Sequence, residues 1–197
     1  MNQLFLDACK LGHVKVVKVL LEEPSGLPTS VEPSIEVNKG IQITSENGHT
    51  DVVRLLLADH RVNPSVNNNY AIRWASANGH IDVVRLLLED PRVDPSAKNN
   101  WTIREVSQNG HLEVVKVLLE DSRVDPSAKD NLAIHLASQN GHVEVVKALL
   151  KDPRVDPSDR DNEAIRWAKE NDHLEIVQLL TEHQFRIDGP VYNQNII

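Results

Sequence analysis

The chain has 197 residues, with 21 lysines and arginines against 29 aspartates and glutamates, for a formal charge of −8. No basic cluster interrupts that acidic balance, which argues against nucleic acid or an anionic membrane as the main partner. A single cysteine, Cys9, excludes an internal disulfide framework, and no run approaches the roughly 18 apolar residues of a membrane span. The start, MNQLFLDACKLGH, lacks the basic opening and apolar run of a signal peptide, so a soluble protein of the cytoplasm or nucleus is expected.

A fixed interval organises everything that follows. Gly48, Gly79, Gly110, Gly141 and then Asp172 recur every 31 residues, and Gly12 opens the series 36 residues earlier. A constant period with helical patterning inside each unit predicts an all-α solenoid, in which units stack on their neighbours and no single core forms. The expected array covers 1–188, with six copies at about 2–36, 37–67, 68–98, 99–129, 130–160 and 161–188, and a tail at 189–197.

The first copy enters directly at a helix, with Asn2 placed to cap it and Phe5, Ala8 and Cys9 facing inward. Its second helix carries Lys15 and Lys18 where later copies pair an acid with a base, as befits an end unit. The stretch 24–36, PSGLPTSVEPSIE, reads as an exposed loop: either a partner-contacting or phosphorylated lobe, or a tolerated insertion.

Copies two to five are regular. Asn38, Asn69, Asn100, Asn131 and Asn162 sit where an N-cap of the first helix is expected, and each glycine ends that helix where φ must be positive. In the second helix a narrow polar stripe meets water. Its acids and bases fall at i,i+3: Asp51 with Arg54, Asp82 with Arg85, Glu113 with Lys116, Glu144 with Lys147. In the connections, Val62, Val93, Val124 and Val155 should plug the gap under the loop, while Pro64, Pro95, Pro126 and Pro157 stop the helix. In the last copy Phe185 and Ile187 are expected to cover the end of the stack.

With GHLEVVKVLL at 110–119 and GHIDVVRLLL at 79–88, the chain resembles the ankyrin repeat family over about residues 2 to 188. The resemblance implies two antiparallel helices and an outward loop per unit, stacked into a curved array that binds other proteins on its concave side. It departs from the family in its helix starts (KGIQ, YAIR, WTIR, LAIH, EAIR) and in a period of 31, with the missing residues in the loop, so a β-hairpin reduced to a tight turn is expected. The resemblance also implies that His13, His49, His80, His111, His142 and His173 hydrogen-bond within their turns. Equivalent residues of helices about 8–10 Å apart cannot share an ion at about 2 Å, so no metal is expected. Arg73, Arg104, His135 and Arg166 fill the slot of the family's first-helix histidine, where bonding to loop carbonyls or to acids such as Asp94 is expected.

Slots that agree among copies serve the architecture, and slots that differ are free for recognition. The most variable slots lie on one face of the first helix. Eighteen such positions hold four of the chain's seven aromatic residues, where an even spread would place fewer than one. The expected partner-binding residues are Tyr70, Trp74, Trp101, Glu105, Leu132, Leu136 and Trp167, with Trp74 and Trp101 as anchors and Glu105 as a polar selector. The competing reading is that these rings merely cover adjacent copies. No phosphate loop, nucleophile motif or acid pair points to catalysis or a cofactor. The expected function is a non-catalytic, monomeric protein-binding module. The alternatives are a substrate-recruiting segment of a larger adaptor and, more distantly, a groove that binds or converts a small molecule.

Overall fold

The computed structural model describes residues 2–22 and 35–188, in helices joined by turns, bends and short irregular stretches. The helices are α1 (Asn2–Lys10), α2 (Val14–Glu22), α3 (Ile35–Glu46), α4 (Thr50–Leu57), α5 (Val66–Ala77), α6 (Ile81–Leu88), α7 (Ala97–Asn109), α8 (Leu112–Glu120), α9 (Ala128–Gln139), α10 (Val143–Leu149), α11 (Asp159–Glu170) and α12 (Leu174–Asp188). They form two compact units, residues 1–102 and 103–197. In the first unit α1 packs on α3 and α3 on α5, while α2 packs on α4 and α4 on α6; in the second, α9 packs on α11, α8 on α10 and α10 on α12. Each unit is therefore a stack of helix-turn-helix repeats. No strand occurs among the described residues, so the outward hairpin has indeed given way to turns.

Small residues at one slot of every first helix let the backbones approach. Ala8, Thr44, Ala75, Val106, Ala137 and Ala168 are all buried, beside Phe5, Ile41, Ile72, Ile103 and Ile134, which are fully enclosed. The second helices bury Val17, Val53, Val84, Val115 and Val146 with no exposure at all. Each such side chain contributes about 1.5–3 kcal/mol. The valine plugs are as expected: Val62, Val93, Val124 and Val155 are 1–7% exposed, and the four loop prolines are buried next to them. Cys9 is fully buried, and burial pushes its thiol pKa up to about 12.

Hydrogen bonds between residues distant in sequence overturn two expectations. The asparagines do not cap helices. Asn69, Asn131 and Asn162 each end a run of three left-handed residues, such as Asn67 (φ 54), Asn68 (φ 56) and Asn69 (φ 59), and Asn38 lies inside α3. Short polar side chains tolerate that conformation best. Their side-chain oxygens serve the next turn instead: Asn38 accepts from the Asn63 N–H at 2.7 Å, Asn69 from Asp94 at 2.8 Å and Asn131 from Asp156 at 2.8 Å. In the last repeat the chain continues in α12, and the Asn162 oxygen is buried without a partner.

The turn histidines bond outside their own turns. The Nε2–H of His49 donates to the Lys10 carbonyl of the preceding repeat at 2.8 Å, that of His80 to Glu46 at 2.9 Å, that of His142 to Gln108 at 2.8 Å and that of His173 to Gln139 at 3.0 Å. The ring then lies on the preceding glycine. A Cβ on Gly141, which has φ +79, would stand 2.7 Å from the His173 ring. Glycine is thus demanded there twice, once by its backbone and once by its neighbour.

Arg61, Arg92 and Arg154 add a third link, unforeseen in the sequence. Arg92 grips Asp90 through Nε and Nη2 (2.9 and 2.6 Å) and donates to the Val62 carbonyl at 2.8 Å, and Arg154 does the same with Asp152 and Val124. Hydrogen bonding from the guanidinium holds the carboxyls of Asp59, Asp90, Asp121 and Asp152 below their ordinary pKa.

Two further corrections concern the outer stripe and the C-terminal helix. Lys116 meets Glu113 at 2.6 Å and Lys147 meets Glu144 at 2.8 Å, but Asp51–Arg54 and Asp82–Arg85 do not close to ion-pair distance, because aspartate is one methylene shorter. These four side chains instead line a shallow depression with Thr50, Leu86 and Glu89. The stretch 24–36 lies outside the described residues except for Ile35 and Glu36, which already belong to α3. Finally, α12 runs on to Asp188 and leaves Phe185 56% exposed, so Phe185 does not cover the stack; the Ile187 side chain lies outside the described residues.

Candidate protein-binding face

The proposed contact residues arise on the first helices because slots four and three apart share a face. In α5 the packing side is Ala71, Ile72 and Ala75, all 0–1% exposed, which leaves Tyr70 and Trp74 at its edge. All seven residues, Tyr70, Trp74, Trp101, Glu105, Leu132, Leu136 and Trp167, are half-buried. Neither enclosed nor free, each shows one side to solvent.

Within the first unit three rings form a ladder. Tyr70 and Trp74 have centroids 5.7 Å apart, and Trp74 and Trp101 5.8 Å apart, with tilted planes of 35° and 50°. Such offset contacts hold aromatic rings at defined angles and restrain them before any partner arrives. The Tyr70 hydroxyl donates to Glu46 at 3.0 Å, and burial together with that carboxylate raises its pKa.

Arg73 organises the ladder from beneath. Its guanidinium carbon lies 5.1 Å from the Trp101 ring centre and 6.0 Å from that of Tyr70, within cation–π range. Its Nε and Nη2 donate to the carbonyls of Asn68 and Asn67 at 2.9 and 3.2 Å, so it also ties down the left-handed turn. The expected bonding to loop carbonyls therefore holds for Arg73, and for Arg166 with the Arg160 carbonyl at 3.2 Å. Sequence reasoning missed that Arg73 also supports the rings, and that Glu46 anchors Tyr70. The i,i+3 spacing of Tyr70 and Arg73 was the available signal.

The second unit differs. Glu105, Leu132, Leu136 and Trp167 lie there, and His135 takes the arginine slot. His135 is fully buried and meets Trp167 edge-on at 6.0 Å. Its Nδ1 lies 3.3 Å from the Glu163 carboxylate without the alignment of a hydrogen bond, and neither ring nitrogen has a partner. Burial lowers its pKa against the opposing pull of Glu163. No group of three or more His, Cys, Asp or Glu side chains that could hold a metal occurs among the described residues, and no helix there is long and apolar enough to cross a membrane.

Comparison with known families decides the class. A family profile of ankyrin repeats in three copies matches residues 5–99 and again 103–192. The chain belongs to the ankyrin repeat family. Ankyrin repeats generally mediate protein–protein interaction and are typically non-catalytic. A search among curated proteins finds no match to this ankyrin-repeat chain.

Proposed function

We propose that this ankyrin-repeat chain is a non-catalytic module that docks a protein partner on the variable face of its first helices. The observation that carries this reading is the Tyr70–Trp74–Trp101 ladder: three large rings, half-buried and pre-set by Arg73 and Glu46, on slots that the other repeats fill with Lys39, Ile43, Leu132 or Glu163. Rigid aromatic anchors beside acids are how interface hot spots are composed. Trp74 and Trp101 are the anchors. The second unit carries its own candidate contacts on the same slots, Glu105, Leu132, Leu136 and Trp167, with Glu105 selecting for a partner donor or cation. The experiment is affinity capture from cell lysate with the native chain beside Trp74→Ala/Trp101→Ala, with thermal melting of both. Loss of the captured partner with a melting temperature within a few degrees of native supports the reading. Retained capture with a collapsed melting temperature shows that the rings only cover adjacent repeats.

A further inference from the structure

The two end repeats carry surfaces that every inner repeat hides. In the inner and last repeats Gly40, Ala71, Thr102, Ala133 and Ala164 are buried, and the equivalent residue of the first repeat, Leu4, is 52% exposed. In the second helices Val52, Val83, Val114, Val145 and Ile176 are 0–1% exposed, and the equivalent Val16 is 39% exposed. These slots face the preceding repeat: a Cβ on Gly40 would touch Phe5 at 2.8 Å and Cys9 at 3.2 Å. At the other end, Ile165 and Val177 are half-buried in slots that are fully enclosed in the repeats before them.

Charge says what fits between these ends. Where such a pair closes between repeats, the base belongs to the earlier one: Lys147 reaches Glu175 of the next repeat at 3.4 Å. The first repeat inverts that pattern, with Lys15 in the slot of Glu175, and would be repelled by Arg54, Arg85, Lys116 or Lys147. The last repeat alone has no base at the facing slot. Gln178 stands there and donates to Glu182 at 2.8 Å, presenting an amide and a carboxylate. Leu4 is larger than the small residues of its slot, but the residue opposite it in the last repeat is the exposed Lys169, whose flexible stem can lie along it.

We propose that the leading face of the first repeat, Leu4, Val16 and Lys15, docks on the trailing face of the last repeat of a second copy, Ile165, Val177 and the Gln178–Glu182 pair. The contact continues the repeat-on-repeat packing already present within each unit. It joins two different surfaces, so copies add head to tail without an isologous two-fold. Neither surface includes Trp74 or Trp101, so the ladder stays open to a partner.

Sedimentation equilibrium of the 197-residue chain tests this, with circular dichroism to confirm the fold of every variant. The native chain should show mass rising with concentration up to about 0.3 mM, the range of a weak contact. Leu4→Glu should weaken association at least tenfold, and so should Gln178→Lys, which sets a base against Lys15. Mixing those two variants should give 1:1 dimers and nothing larger, since each keeps one competent end. Lys15→Glu/Gln178→Lys, which recreates the Lys147–Glu175 pattern, should associate again. A native chain that stays monomeric throughout, association indifferent to Leu4→Glu, or a mixture that does not pair overturns the proposal.

Discussion

The turns and the first-helix face of this protein obey different rules. In the turns one residue meets one partner in repeat after repeat: Gly48 lies under His80 and Gly141 under His173, while Asn69 and Asn131 each hold the N–H of the following loop. At a single face slot the chain places Lys39, Tyr70, Trp101, Leu132 and Glu163. The fold accepts all five. The stacking is set by a few slots whose demands come from neighbouring repeats, which frees the face to diverge.

Substitutions should separate the two regions in order of effect. Gly141→Val places a branched side chain at φ +79 and drives it into the His173 ring, and should cost on the order of 2–4 kcal/mol by urea denaturation. Asn131→Ala, which strips the Asp156 N–H and Asp159 of their partner, should cost about 1–3 kcal/mol. Its face-side neighbour Leu132→Ala should cost less than either. Equal costs for Asn131→Ala and Leu132→Ala would break the comparison.

The second unit offers a pH test. Burial keeps the His135 imidazole below its ordinary pKa, so the unfolded chain binds a proton at this site more readily than the folded one. Stability from this residue is then complete above a pH of about 6.5 and declines as pH falls below it. Urea midpoints at neutral and mildly acidic pH should converge when His135→Leu is compared with the native chain. The smallest effect belongs to the outer stripe: Lys147→Ala should leave the urea midpoint indistinguishable from that of the native chain, because its bonds to Glu144 and Glu175 are exposed and screened.

Much of this architecture was legible because repetition makes one chain its own alignment. The positive-φ glycines, the valine plugs and the inward Phe5, Ala8 and Cys9 all follow from period and spacing. The asparagines were misread for a physical reason: capping is a local inference, and the true partner of Asn69 lies 25 residues onward, at the far end of its own repeat. The histidine rings were misplaced in the same way, since the Lys10 carbonyl that receives His49 is 39 residues back. At the proposed face, spacing found the rings but not Arg73 beneath Trp101, a contact that only stacking creates. The Asp51–Arg54 pair failed on reach, which charge alone does not report.

Four bonds at the turns run the same way. His49 to Lys10, Asn78 to Glu46, Arg92 to Val62 and Arg154 to Val124 each send a proton donor of the later repeat to a carbonyl of the earlier one. A gene encoding such a chain can lose or duplicate a 31-residue block by unequal recombination and still present every donor with an equivalent acceptor at the new joint. Lineages can therefore lengthen or shorten this protein in whole modules, and trial new combinations of face residues, without redesigning the scaffold.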